Sequence, residues 1–161
     1  MAEPSDELMN LIFTGLDHGI DSVRDGGPLV PFVLVEHEGQ VALRRIVVGD
    51  PFELEASVAQ AAVSAGEAAA QPDDLVVLVY DAYLRMNDER FDAIYAEGAE
   101  NGSPAAIIAQ RYKPKGRFRG LETIGNAQAL PPDMGRLAAP TADADVTTLT
   151  PPKSDGQVYG G

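Results

Sequence analysis

The sequence predicts an α+β fold: a five-stranded antiparallel sheet with two helices, in the order α-β-β-α-β-β-β, followed by a disordered C-terminal tail. Three observations predict it. Apolar residues recur at helical spacing in two stretches, residues 8–23 and 54–63. Five other runs are rich in apolar, β-branched and aromatic residues and are bounded by turn residues. The links inside the first strand pair and between the last three strands are short, which suits antiparallel hairpins.

The first helix is expected from Ser5 to about Asp25. Ser5 is suited to cap it, and Asp6 and Glu7 favour the positive end of the helix dipole. Leu8, Leu11, Ile12, Phe13, Leu16, Ile20 and Val23 make one apolar stripe. Gly15 and Gly19 weaken it, and Gly26-Gly27-Pro28 ends it. Two strands follow, Pro31 to Glu36 and Val41 to Val48, joined by His37-Glu38-Gly39-Gln40. In Asp50-Pro51-Phe52-Glu53, Asp50 can cap, Pro51 takes the first helical position and Glu53 can reach back as in a capping box. The second helix then runs to about Ala70, and its many alanines allow close packing on a sheet.

Gln71-Pro72-Asp73-Asp74 breaks that helix. Three strands are expected next: Leu75 to Arg85, Arg90 to Ala99 and Ala105 to Tyr112. Met86–Glu89 and Asn101-Gly102 are the turns between them. From Lys113 to about Leu130 the pattern is irregular. After Pro131-Pro132 the chain is mostly Ala, Thr, Asp, Pro and Gly, and burial there cannot offset chain entropy. The expectation is one domain over residues 1–130 and a disordered tail over residues 131–161.

Composition excludes several classes. With no cysteine among 161 residues there is no disulfide scaffold, thiolate metal site or Cys nucleophile. No apolar run approaches the roughly 20 residues of a membrane span. The first residues are acidic where an export signal is basic, so a cytoplasmic protein is expected. Arg outnumbers Lys and Ala is abundant, a composition associated with GC-rich bacterial genomes. With 12 basic and 25 acidic residues the formal charge is −13, which repels nucleic acid and anionic lipid at long range. Five of the 12 basic residues fall between Arg111 and Gly120: Arg111, Lys113, Lys115, Arg117 and Arg119. Interleaved with Tyr112 and Phe118, they have the composition of a phosphate or single-strand contact. Against the overall charge, docking of the strip on the acidic body of this chain or of a second copy is favoured.

Two-residue turns at Asn87-Asp88 and Asn101-Gly102 set a register for the last three strands. Tyr80 then faces Tyr95, Tyr83 faces Asp92, Tyr95 faces Ile108 and Asp92 faces Arg111. One sheet face carries Leu78, Tyr80, Ala82, Leu84, Phe91, Ala93, Tyr95, Ile108 and Tyr112. It is expected to be covered by the second helix and part of the first. The other carries Asp81, Tyr83, Arg85, Arg90, Asp92 and Arg111, with Val77, Val79 and Ile94 at one end. This element order is similar to that of roadblock and profilin-like domains, whose five-stranded antiparallel sheets are flanked by helices. The analogy is one of fold and carries no activity.

Asp81, Tyr83, Asp92 and Arg111 are the candidate ligand- or partner-binding residues. Ordinary cross-strand pairing also accounts for such a row. Glu97 points to the opposite face, and His18 and His37 lack metal-ligand spacing, so no metal and no cofactor are expected. No nucleophile elbow, phosphate loop or dinucleotide fingerprint occurs. The leading expectation is a small, acidic, non-enzymatic binding or adaptor protein that acts through protein–protein association, as a homodimer. Two alternatives stand beside it. One is a ligand-binding domain or enzyme using the polar sheet face, signalled by a concave face with a shifted carboxylate pKa. The other is phosphate or nucleic-acid contact through the basic strip.

Overall fold

A computed structural model describes residues 3–24, 29–49, 54–114 and 121–137. Helix α1 (Asp6–Arg24) begins at Ser5 as expected, and the Ser5 Oγ accepts the Leu8 N–H at 3.1 Å. Glu100 accepts the Ser5 N–H at 2.8 Å and its hydroxyl at 2.6 Å, so the cap also ties α1 to the sheet. Helix α2 spans Leu54–Ala69. The signals at Gly26-Gly27-Pro28 and Asp50–Glu53 lie outside the described residues.

The sheet has seven strands, not five: β1 (Phe32–His37), β2 (Gln40–Arg45), β3 (Leu75–Met86), β4 (Glu89–Glu100), β5 (Ser103–Pro114), β6 (Leu121–Thr123) and β7 (Gln128–Leu130). Its order is β2-β1-β3-β4-β5-β6, with β7 also on β5. Every pair is antiparallel. β6 and β7 are three residues each, too short to show a period, and fall in the stretch the sequence left irregular. All three long hairpins turn on two residues at positive φ, Glu38-Gly39, Asn87-Asp88 and Asn101-Gly102, which matches the twist of the strands they join.

The two helices cover opposite faces, which corrects the expectation that both cover one. Val76, Leu78 and Tyr80 pack with α2, while Val77 and Val79 pack with α1. β1 divides likewise: Val33 and Val35 lie under α2, Phe32 and Leu34 under α1. Continuous apolar runs, not alternation, mark strands buried on both sides. Gly15 and Gly19 serve this packing rather than only weakening α1. A Cβ at Gly15 would meet Val79 at 2.9 Å, and one at Gly19 would meet Ile94 and Val79 at 3.0 Å. Gly98 makes room from the sheet side, where a Cβ would lie 2.6 Å from the Ile12 side chain.

The β3–β4 register is the expected one, with Tyr80 opposite Tyr95 and Tyr83 opposite Asp92. The β4–β5 register is corrected by one residue. Ala99 pairs Pro104 but Gly98 pairs Ala106, so Ala105 is extra and a bulge shifts the rest of the strand. Pro104 has no N–H for the ladder, and bulges are where strands tolerate proline. Tyr95 therefore faces Ala109, and Asp92 faces Tyr112. Ile108 and Tyr112 join the α1 face, and Arg111 leaves it.

The domain also extends past the expected boundary at residue 130. A 3-10 turn at Pro132–Met134 leads to Leu137, which is buried on the α2 face. Residues 138–161 of the expected tail lie outside the described residues.

Candidate functional site

α1 lies against the apolar half of its face, Val77, Val79, Ile94 and Ala96. Beyond that half the same strands carry Asp81, Tyr83 and Asp92. Sequence and structure agree in bringing these three together; the bulge replaces Arg111 with Tyr112. The Tyr112 hydroxyl donates to Asp81 Oδ2 at 2.7 Å. Burial pushes the Asp81 carboxyl up to about 6; the Tyr112 hydrogen bond opposes the rise and the charge of Asp92 adds to it. The Tyr112 phenol is raised well above its ordinary value, by burial first and then by its bond to Asp81. Tyr83 is 61% exposed, with the Arg90 guanidinium 4.2 Å above its ring.

β1 pairs β3 only from Leu75 to Val79. From Tyr80 to Met86 the outer edge of β3 has no partner strand among the described residues. A cavity of about 590 Å3 lies along this edge and reaches both sheet faces. Asp81, Tyr83 and Asp92 line it from the α1 face, Glu55 and Arg136 from the α2 side. Among the described lining residues, three carboxylates against one guanidinium suit a cationic occupant, and the volume is that of an ordinary ligand pocket.

A scan of protein-family models finds none that matches this chain, and searches of curated proteins and of solved structures find no match either.

Arg111 sits on the α2 face with its guanidinium 4.8 Å above the Phe91 ring, and its buried Nε has no hydrogen-bond partner among the described residues. Of the basic strip, Lys113 is exposed at the end of β5, opposite Glu122 of β6. Lys115, Arg117 and Arg119 lie outside the described residues. No group of three or more metal-ligating side chains occurs among the described residues, and none of the described helices is long and apolar enough to cross a membrane. His18 packs edge-on against Phe32, and His37 Nδ1 lies 2.6 Å from Asp74 Oδ1. That pairing, with Glu38 beside it, raises the imidazole pKa above its ordinary value.

The sequence reading did not single out Glu55 or Arg136, and it set Glu97 aside on the opposite face. Glu97 is 1% exposed on the α2 face, opposite Leu78 and next along that face from Tyr95. The Tyr80 hydroxyl donates to its Oε2, as does the Arg136 N–H at 2.8 Å, and the Leu137 N–H donates to Oε1 at 3.0 Å. A charged residue at a core-facing strand position was the available signal. Arg136 gave none, because it follows a Pro-Pro pair in a stretch poor in apolar residues.

Proposed function

We propose that this protein is a non-enzymatic binding module that takes an extended, basic segment of a protein partner along the open edge of β3. The observation that supports this reading is the coincidence of a strand edge, Tyr80–Met86, that has no partner among the described residues with an acidic cavity lined by Glu55, Asp81 and Asp92. A strand added to an edge gains main-chain hydrogen bonds, and its side chains alternate between the faces. Basic side chains on one face would meet Asp81 and Asp92, and on the other Glu55. Tyr83, already stacked with one guanidinium, offers a second contact for a cation.

The test uses labelled peptides with alternating Lys or Arg, set against acidic peptides of the same length. Basic peptides should bind the wild type and lose at least tenfold in affinity to the Asp81→Lys/Asp92→Lys variant, once its far-UV circular dichroism shows it to be folded under the binding conditions. Equal binding of both peptide sets, or no effect of the charge reversal, would sink the proposal.

The size and acidic lining of the cavity favour a second reading, a small amine-bearing ligand in the same place. Native mass spectrometry of gently purified protein separates the two: a retained polypeptide supports the first, a small molecule at unit stoichiometry the second. The homodimer proposal rests on the outer edge of β2, where Val41 is half-exposed. A monomeric sedimentation coefficient at high micromolar concentration would remove it.

A further inference from the structure

Residues Gly135–Leu137 run over the α2 face, and their backbone is held by one side chain. Both carboxylate oxygens of Glu97 are engaged, Oε2 by the Arg136 N–H and Oε1 by the Leu137 N–H. Tyr80 fixes the carboxylate from below through its hydroxyl, and the Tyr80 ring is itself stacked on Tyr95, centroids 5.2 Å apart. Gly135 makes the approach possible: a Cβ there would collide with the Glu97 carboxylate and come within 2.7 Å of Ile107 Cδ1.

The two residues held in this way serve different cavities. Arg136 lines the polar cavity at the β3 edge, with its guanidinium 5.4 Å from the Tyr80 ring centroid. Leu137 lines a separate, largely apolar groove of about 300 Å3 between the C-terminal half of α2 and the β4–β5 turn, with Val63, Ala99 and Pro104. The two side chains leave adjacent residues of the one backbone segment that Glu97 holds.

We infer that residues 135–137 form a strap latched by Glu97, and that this latch couples the polar cavity to the apolar groove. Holding the strap keeps the one guanidinium among the described lining residues inside an otherwise acidic cavity, and keeps Leu137 over the apolar floor at Ala99 and Ile107. Releasing it makes the first cavity more acidic and opens the second. A carboxylate suits the role because it accepts from two adjacent backbone donors at once, with the Tyr80 hydroxyl as a third partner. The inference does not depend on what fills either cavity.

The test is amide hydrogen exchange followed by NMR on the full chain. In Glu97→Gln one of the two acceptors becomes an NH2 group, so one backbone donor loses its partner. Gly135→Ala pushes the strap away while leaving the carboxylate intact, and decides the matter should the first variant fail to fold. Either variant should speed exchange at Arg136 and Leu137 at least tenfold, leave Val77 and Val79 unchanged and raise the fluorescence of added Nile red. Amide resonances of Ala82 and Tyr83 at one cavity should shift together with those of Gly66 and Gly102 at the other. Unchanged exchange at Arg136 and Leu137, acceleration spread evenly over the domain, or a response at one cavity alone would overturn the inference.

Discussion

At the residue scale, two groups tie this protein to pH in the same direction. Asp81 has a folded-state pKa of about 6, raised from an ordinary value of 3.8. Its contribution to stability is therefore complete below pH 4 and lost as pH rises through 6. Asp81→Asn keeps an acceptor for the Tyr112 hydroxyl and removes the buried charge. The variant should be more stable than wild type at pH 8 by about 1–3 kcal/mol, and equal to it at pH 4, as read from urea unfolding at both values. The His37 pKa is raised by Asp74, so the pair stabilises the fold below pH 6.5 and its contribution disappears as pH rises through the elevated value. An NMR titration should place the His37 imidazole above its ordinary pKa, and Asp74→Asn should bring it back towards 6.5. Binding of a cation runs the other way: Asp81 must ionise to receive it, so affinity for basic peptides should fall as pH drops through 6. Isothermal titration at pH 5 and pH 7.5 gives that comparison.

At the element scale, the decisive contact is between α1 and the middle of the sheet. Three glycines, two on the helix and one on β4, let the helix approach until Ile12 fills the space over Gly98. Gly98→Ala should destabilise the protein by about 1–3 kcal/mol through overpacking, and Ile12→Val in the same chain should recover part of the loss, measured by urea unfolding. The hairpins were legible because their turn chemistry is local: Glu38-Gly39, Asn87-Asp88 and Asn101-Gly102 each hold two residues at positive φ. The β4–β5 register was not legible beyond Gly98. A bulge at Ala105 adds one residue after a correct turn, and one residue is enough to send Arg111 to the opposite face and bring Tyr112 to Asp81.

At the scale of the molecule, the chain forms three layers, helix, antiparallel sheet and helix, closed on the α2 side by the segment that ends at Leu137. The closure rests on Glu97, which accepts the Arg136 and Leu137 N–H groups, and on the burial of Leu137. A chain ending at Leu137 should therefore be more stable than one ending at Pro131 by about 2–4 kcal/mol, from the burial of Leu137 and the two backbone hydrogen bonds. The two truncations can be compared by thermal and urea unfolding under one buffer. Equal stability would mean that residues 132–137 close nothing.

The sequence by itself determined the α+β class, the first helix and its Ser5 cap, the hairpins and the association of Asp81, Tyr83 and Asp92. Each rests on short-range information, a helical period, a two-residue turn or the alternation of one strand pair. The tertiary structure decided the rest: which face each helix covers, the place of Arg111, strands β6 and β7, and the embrace of Glu97 by residues 135–137. Those features depend on contacts between positions far apart in the chain. Glu97 meets its backbone donors 39 and 40 residues away, and no local pattern announces that a loop after two prolines will return to satisfy a buried carboxyl group.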